Sequence, residues 1–290
     1  MLIAISKERL LQLAGATQKA FKTPLKQHLF DFAIRCLPER QLDSAPFMFE
    51  RVVGLQSTVI TPPVTQCPQI EIRNAGYDYQ NENWYVIFAN RELGGGYLNR
   101  GFVQEEILTI ECPEIAIALS QFNLLGPLDR REVGVYSNVD RGCQILLYGH
   151  QDVNEFESKN RKRINLSEAV QKVPPKKINC VAIDAINVSK KRNGASKEDL
   201  QYMFDKATAG FETIIKHGAK EVHTGKWGCG AYGNDLTSIF LLTILAAWKA
   251  GLQKVVFYLY DGSGLDVINP IVKDFATLSY PQMEQRLFAS

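Results

Sequence analysis

Between residues 65 and 280, short runs of β-branched and aliphatic residues alternate with longer segments that have helical periodicity. The runs have the length and composition of buried strands, and in order they are QIEIRNA, WYVIFA, EVGVYS, CQILLYG, INCVAIDA, KEVHT and KVVFYLY. A chain that alternates strands with helices builds a central sheet that helices cover on both faces. The pattern therefore predicts an α/β fold with a largely parallel or mixed sheet.

Helix signals surround these strands. One helical face recurs within the first sixty residues at the spacing i, i+3, i+4, i+7, in Leu29, Phe32, Ala33 and Cys36. We therefore expect this part of the chain to be mostly helical. Ser196, with Asp199 three positions on, resembles a capping box, and Gly251 stands where a C-cap would end an apolar helix. The polar, basic residues 157–177 predict a long surface excursion between two strands.

The amino-acid composition limits the classes of partner that the chain is expected to bind. The 290 residues are 46% hydrophobic and 22% charged, which is typical of a globular protein, and a net charge of +2 does not indicate a strongly basic nucleic-acid binder. Six cysteines without a CxxC pair indicate neither a zinc site nor a disulfide framework, so we expect reduced thiols. No segment has the pattern of a signal peptide or of a membrane span. We expect a cytoplasmic or intracellular chain that binds neither nucleic acid nor membrane directly; export as an effector is not readable from the sequence.

A glycine-rich loop lies between the predicted strand KEVHT and a predicted apolar helix. It has the pattern GxGxxG and consists of Gly228, Cys229, Gly230, Ala231, Tyr232 and Gly233. Backbone N–H groups at a helix start favour an anion, so the loop predicts a diphosphate site, with Asp235 as the N-cap. Close packing of the strand against the helix is the competing interpretation. As a nicotinamide-cofactor fingerprint the loop is weak, because the first acid after the next strand, Asp261, comes 28 residues beyond Gly233.

A second glycine-rich stretch, GGGYLNRGFVQEE, follows the predicted strand WYVIFA. Gly94, Gly95 and Gly96 relax the backbone's steric limits, and Glu105 and Glu106 follow at a predicted helix start. Acids in the first turn of a helix can simply complement its dipole. Adjacent residues do not face one another on a regular helix, so both carboxylates reach one ligand only if the backbone bends or the ligand wraps the loop. Two close carboxylates also raise one pKa, which prepares a general acid.

The segment FANRELGGGYLNRGFVQEEILTIECPE resembles the signature of poly(ADP-ribose) glycohydrolases, a triple glycine shortly before Gln-Glu-Glu; seven residues intervene here. CVAIDA and GKWGCGAYGNDLTSIFLLTILAAWKAG resemble two further blocks of that family in the same order. The resemblance covers residues 65–275 and implies a macrodomain-like α/β/α sandwich with an N-terminal helical extension. We expect a helical accessory region at residues 1–62 and a catalytic macrodomain at residues 63–290.

The resemblance also implies catalytic roles for residues of this chain. Glu106 would protonate the leaving oxygen at the anomeric carbon of the ADP-ribose ribose and then activate water. Glu105 would hold ribose hydroxyls, and Gln104 and Asn90 would support the same loop and ribose. Such carboxylate chemistry suits the cleavage of a glycosidic bond, and it requires no cofactor and no metal.

Ligand-binding roles follow in the same way. Residues 228–233 would receive the diphosphate on their backbone N–H groups, with Tyr232 beside the distal ribose. Glycines 94–96 would wrap the ribose, and Asp78 would bind the adenine amino group. The implied ligand is therefore ADP-ribose, and the implied partners are ADP-ribosylated proteins.

Two departures from the family pattern bear on the substrate. Ile87 stands where the family usually has an aspartate of the catalytic cluster. The tyrosine-rich clasp expected over the adenine falls at YGHQDVNEF, whose aromatic residues are Tyr148 and Phe156. Hydrolysis of poly(ADP-ribose) and hydrolysis of single ADP-ribose units from side chains, including arginine, both stay open. The alternative function is a non-catalytic reader that binds ADP-ribose.

Overall fold

The computed structural model describes residues 2–37, 45–53, 66–122, 127–130, 132–160 and 164–289. Within these ranges a mixed sheet carries helices on both faces, so the predicted α/β/α sandwich is confirmed. One hydrophobic core lies between the sheet and the helices that precede residue 160, and a second lies between the sheet and the helices that follow residue 196. None of the described helices combines the length and the apolar composition that spanning a membrane requires.

The strands of the described chain are β1 (Leu2–Ile5), β2 (Phe47–Val53), β3 (Gln69–Arg73), β4 (Trp84–Ala89), β5 (Glu132–Ile145), β6 (Val170–Asp184), β7 (Glu221–Gly225) and β8 (Lys254–Tyr258). They form one sheet in the order β1-β2-β5-β6-β4-β7-β8-β3. Neighbours from β6 to β3 pair in parallel, while β1, β2, β5 and β6 pair in antiparallel fashion. The parallel half of the sheet is the part that builds the site described below.

The described helices are α1 (Lys7–Ala20), α2 (Pro24–Arg35), α3 (Gln104–Glu111), α4 (Pro113–Gln121), α5 (Gly149–Lys159), α6 (Lys197–Lys216), α7 (Leu236–Ala250), α8 (Leu265–Thr277) and α9 (Tyr280–Phe288). The predicted capping box at the start of α6 forms between Ser196 and Asp199. Asp235 caps α7 by accepting the N–H of Ser238 at 2.8 Å, and Gly251 ends that helix with a φ of 92°. The local helix signals are confirmed by this geometry.

Some elements differ from the sequence prediction. The N-terminal part contributes β1 and β2 besides α1 and α2, and β2 extends the main sheet by pairing with β5. EVGVYS and the first three residues of CQILLYG belong to the single strand β5, and residues 170–177 of the predicted surface excursion are the start of β6. Register shifts near residues 137–142 interrupt the apolar pattern and conceal this continuity. The predicted boundary at residues 62–63 lies outside the described residues.

The parallel strands end along one edge of the sheet. In the described sheet, β4 and β7 are neighbours that pair at Tyr85 and His223 alone, so the ladder between them stops before the carboxyl ends of both strands. Open α/β sheets bind ligands in a crevice at the carboxyl ends of their strands, and we call this edge of the sheet the cleft. The loops that follow β4, β6, β7 and β8 all start at this edge. Both glycine-rich loops found in the sequence are therefore placed at one cleft.

Candidate active site

The glycine loop, residues 94–101, leaves the end of β4 and folds back over the start of α3. Gly94 and Gly95 have φ values of 86° and 50°, in the left-handed region that favours glycine. A Cβ atom on Gly95 would lie 2.8 Å from Oε2 of Glu105 and 2.8 Å from Oε1 of Glu106. The backbone bend that the sequence left open is therefore present, because the loop passes directly against both carboxylates.

Glu105 is buried beneath this loop. Its Oε2 accepts the N–H of Asn90 and its Oε1 accepts the N–H of Gly94, each at 2.7 Å. Burial raises the pKa of this carboxyl well above that of an ordinary glutamate, and the charges of Glu106 and Asp184 raise it further. The two N–H groups oppose this rise because they stabilise the carboxylate. Glu105 thus fixes the backbone around the cleft and takes up a proton more readily than an exposed glutamate.

Glu106 is the neighbouring buried carboxylate, in the first turn of α3. Its Oε1 accepts the N–H of Gly96 at 3.0 Å, and its Oε2 accepts the N–H of Val103 at 3.0 Å, which caps the helix. A Cβ atom on Gly101 would lie 2.6 Å from Oε1. Glu106 therefore both caps its helix and faces the glycine loop. Because each carboxylate oxygen has two lone pairs, the capping bonds leave acceptor capacity for a ligand.

Gln104 and Asn90 support the two glutamates from different directions. Oε1 of Gln104 accepts the N–H of Phe88 at 2.9 Å, and Nε2 of Gln104 donates to O of Val86 at 3.4 Å. The Gln104 amide therefore holds the start of α3 to the backbone of β4. Oδ1 of Asn90 accepts the N–H of Glu92 at 3.1 Å. Nδ2 of Asn90 has no acceptor among the described residues and is free for a ligand. The ribose contacts implied for both residues stay predictions.

The second loop, residues 228–233, lies between β7 and α7. Gly228 and Gly233 have φ values of 73° and 70°, and Asn234 fastens the loop by donating to O of Ile186 at 2.9 Å and to O of Gly228 at 3.1 Å. The N–H groups of residues 230–232 donate to no acceptor in the described part of the chain. Adjacent free N–H groups ahead of a helix suit an anion. The loop thus has the chemistry of the predicted diphosphate site.

Tyr232 of this second loop lies within electrostatic range of the two glutamates. Burial raises the pKa of its phenol to about 12, and the charges of Glu105 and Glu106 contribute to the rise. The two loops therefore lie within electrostatic range of each other. Burial also raises the pKa of the Cys229 thiol to about 12, and its Sγ lies 3.8 Å from O of Trp227. A thiol held in its protonated form is a poor nucleophile, so Cys229 acts as a small loop residue.

Asp184 is an acid beside the site that the sequence analysis did not single out, although it lies in the block CVAIDA. It ends β6 opposite Ala89 and is almost completely buried. Its Oδ1 pairs with Nζ of Lys206 at 2.6 Å, and its Oδ2 accepts the hydroxyl of Tyr202 at 3.0 Å. The negative charge of Asp184 is therefore balanced by Lys206 of α6. The same charge contributes to the raised pKa of Glu105.

An aromatic pair lies beside the same edge of the sheet. Tyr148, at the start of α5, stacks on Tyr260 of the loop after β8, with ring centroids 5.8 Å apart and planes 29° apart. Both rings are exposed, at 47% and 64%. Partial burial, then Tyr260 and then Glu106 raise the pKa of Tyr148, which places the pair within electrostatic range of the glutamate. Phe156, the second aromatic residue of the predicted clasp, is instead buried in the core.

Asp78 lies at the far end of the same edge, just beyond β3. Its Oδ1 accepts the hydroxyl of Tyr258 at 2.7 Å, and its Oδ2 pairs with Arg73. Both oxygens therefore already have partners, and β3 is separated from β4 by two strands. The structure assigns Asp78 to an ion-pair network beside the cleft, and the adenine contact implied for it stays a prediction.

Ile87 occupies a central position of β4, in register with Ala182. Its side chain is buried in the core between the sheet and the first group of helices. The position at which the resemblance implies an acid is therefore part of the apolar interior. Among the described residues, no group of three or more His, Cys, Asp or Glu side chains is arranged to hold a metal ion.

Comparison with known proteins relates the chain to one family. A family model described as poly(ADP-ribose) glycohydrolase (PARG), Macro domain fold, matches residues 62–266. Poly(ADP-ribose) glycohydrolase 1 of Caenorhabditis elegans is 31% identical over 175 residues, which cover 57% of this chain and 22% of that protein. Poly(ADP-ribose) glycohydrolase 2 of the same species is 27% identical over 208 residues, which cover 66% of this chain and 39% of that protein. The chain thus spans less than half of these relatives' own length.

A solved structure shows the same fold. Poly(ADP-ribose) glycohydrolase from Deinococcus radiodurans, solved in complex with ADP-ribose, superposes with a TM-score of 0.50 at 13% sequence identity. The superposition covers 93% of this chain and 95% of that chain. At this identity the likeness concerns the arrangement of strands and helices alone.

Proposed function

The chain belongs to the poly(ADP-ribose) glycohydrolase family, and on that premise we propose that it is an ADP-ribosyl hydrolase. It cleaves the glycosidic bond at the ribose anomeric carbon and releases ADP-ribose from ADP-ribosylated proteins. The observation that carries the proposal is the approach of the Glu105 and Glu106 carboxylates to one point at Gly95. Beside them lies a loop whose free N–H groups suit a diphosphate.

Glu106 is the proposed acid and base of the reaction. Its carboxyl proton passes to the leaving oxygen as the bond from that oxygen to the anomeric carbon breaks, and positive charge develops on the ribose. The resulting carboxylate then takes a proton from water while the water oxygen bonds to the anomeric carbon. Glu105, buried beside it, accepts hydrogen bonds from the ribose hydroxyls and so orients the sugar. The proton returns to Glu106, so the cycle consumes water alone.

The ligand lies along the edge of the sheet in this proposal. The ribose to be cleaved rests against the glycine loop, and the diphosphate accepts hydrogen bonds from the N–H groups of residues 230–232. The exposed rings of Tyr148 and Tyr260 supply a stacking surface for a planar base at the other end. Substrates of this geometry are mono-ADP-ribosyl side chains, including arginine-linked ones, and poly(ADP-ribose).

A non-catalytic ADP-ribose reader is the second candidate. It is favoured by one observation, the apolar burial of Ile87 where the family pattern has an acid. A reader needs the phosphate loop and the aromatic pair, but it does not need two buried carboxylates, whose desolvation is costly. We therefore favour the hydrolase.

A panel of ADP-ribosylated proteins of known linkage separates the two candidates. The pure protein is incubated with arginine-, serine-, glutamate- and polymer-linked substrates, and free ADP-ribose is quantified by mass spectrometry. Binding of ADP-ribose is measured in parallel by calorimetry. The hydrolase releases ADP-ribose from at least one linkage in multiple turnovers. Binding of ADP-ribose without release from any linkage would instead identify a reader.

A further inference from the structure

Lys26 is a buried lysine directly below the glycine loop. It lies in α2, within the N-terminal part of the chain, and has no solvent-exposed surface. An unpaired ammonium in such a position would be strongly destabilising, so its partners identify the reason for its presence. Residue 26 also lies outside the segment that the family model matches, residues 62–266.

All three donors of the Lys26 ammonium bind the glycine loop. Nζ donates to O of Gly96 at 3.0 Å, to O of Tyr97 at 2.8 Å and to O of Gly101. The ring of Phe102 lies 5.0 Å from Nζ. One side chain of the N-terminal part thus ties Gly96 and Tyr97 to Gly101, the last residue of the loop.

Gly96, one of the loop residues that Lys26 binds, also holds Glu106. Gly96 donates its N–H to Oε1 of Glu106 at 3.0 Å, while its carbonyl accepts from Lys26. A Cβ atom on Gly96 would lie 3.2 Å from Cα of Gly101, so the two glycines are in close contact at the clamp. The position of the Glu106 carboxylate therefore depends on a loop that Lys26 keeps closed.

Other contacts from the same part of the chain reach the loop, but they are of a different kind. The N–H of Lys22 donates to O of Leu98 at 2.8 Å. The rings of Phe21 and Tyr97 meet edge to face with centroids 5.9 Å apart. These contacts hold Tyr97 and Leu98, whereas the Lys26 ammonium joins Gly96 and Tyr97 to Gly101.

We propose that Lys26 is a positioning residue for the hydrolysis, which holds the glycine loop closed and so places the Glu106 carboxylate against the anomeric carbon. The inference rests on the proposed hydrolase function. Small displacements of a reacting group reduce the rate of the chemical step by about 100-fold. Affinity for ADP-ribose depends mainly on the phosphate loop and the aromatic pair, which Lys26 does not touch. Its loss therefore lowers kcat much more than binding.

The test uses Lys26→Met, which keeps the length of the side chain without its charge, and Lys26→Arg, which keeps a cation. Release of ADP-ribose by the wild type is measured first, on its best substrate. We expect kcat of Lys26→Met to fall by about 100-fold, with the Kd for ADP-ribose within about threefold of wild type. We expect kcat of Lys26→Arg to be about tenfold higher than kcat of Lys26→Met, because arginine restores the charge and the N–H donors in a different shape.

Leu29→Ala is the matched control, since it leaves a cavity in the same helix without removing a bond to the loop. It is expected to lower Tm while kcat of the folded enzyme stays near wild type. The inference is overturned if Lys26→Met keeps its kcat, if its kcat and its affinity for ADP-ribose fall by the same factor, or if Leu29→Ala loses as much kcat at an equal loss of Tm. If Lys26→Met does not fold, Lys26→Gln replaces it under the same criteria. A wild type without activity on any linkage overturns the hydrolase function and this inference with it.

Discussion

The N–H of Gly96 donates to Oε1 of Glu106 at 3.0 Å, although ten positions separate the two residues in the chain. This bond exists because the glycine loop turns back from the end of β4 onto the first turn of α3. The same fold-back brings Gly94 to Glu105. Two adjacent glutamates, which a regular helix would point in different directions, are thereby joined to one loop.

Gly95→Ala tests whether the loop requires a residue without a side chain at its closest approach to the glutamates. The new Cβ would lie 2.8 Å from both carboxylates, on a backbone with a φ of 50°. We expect a loss of about 1–3 kcal/mol in the free energy of unfolding and a fall in kcat of at least about tenfold. The control is Gly15→Ala in α1, where a new Cβ would meet no atom within 4 Å. Its free energy of unfolding should rise by about 0.5–1 kcal/mol, and its kcat should stay at the wild-type value. Equal kcat values for the two variants would contradict this account of the loop.

Tyr260 tests the aromatic pair as a stacking surface. Removing its exposed ring in Tyr260→Ala should weaken ADP-ribose binding by roughly 1–3 kcal/mol, measured by calorimetry, because a base loses one stacking partner. Tyr260→Phe keeps the ring and should bind ADP-ribose as the wild type does. If Tyr260→Phe loses as much affinity as Tyr260→Ala, the hydroxyl and not the ring is responsible.

The raised pKa of Glu114 predicts how the free energy of unfolding depends on pH. Burial raises its pKa to about 7, Asp140 adds to the rise, and Lys7 opposes it. The folded state thus binds this proton more tightly than the unfolded state. The contribution to stability is complete below pH 4.5 and is lost as the pH rises through 7. Between pH 4.5 and pH 7 the free energy of unfolding of the wild type should therefore fall by about 3 kcal/mol relative to that of Glu114→Gln.

Urea unfolding of both proteins at the two ends of this pH range measures the difference. Groups far from Glu114 titrate equally in the wild type and in Glu114→Gln, so the comparison isolates this carboxyl together with its partners Lys7 and Asp140. Parallel curves of unfolding free energy against pH would show that Glu114 is not the titrating group.

Local signals in the sequence predicted much of the fold and part of the site. Caps such as Asp235 and Gly251 act within one helix turn, so their residues alone indicate where α7 begins and ends. The glycine patterns predicted two ligand loops, and in the structure both lie at one sheet edge because parallel strands end on the same side. That Tyr232 comes within electrostatic range of the glutamates depends on how the strands order in the sheet, which the local patterns do not encode.

Partners that lie far apart in sequence were not predictable. Lys26 is separated from Gly96 by 70 positions, and nothing in its neighbourhood in α2 distinguishes it from a surface lysine of an amphipathic helix. Tyr260 reaches Tyr148 from another loop in the same way. β2 was missed because its pairing partner, β5, lies some eighty residues later. A sequence pattern indicates which face of a helix or strand a residue occupies, whereas these contacts depend on which helices, strands and loops pack together.

The central claim is that Glu106 supplies the proton for cleavage of the glycosidic bond. Its most direct test is release of ADP-ribose by Glu106→Gln, with Glu92→Gln as control, since Glu92 is an exposed glutamate of the same connection. We expect Glu106→Gln to lower kcat by about 10²–10⁴-fold while it still binds ADP-ribose, and Glu92→Gln to match the wild type. Undiminished release of ADP-ribose by folded Glu106→Gln would contradict the account.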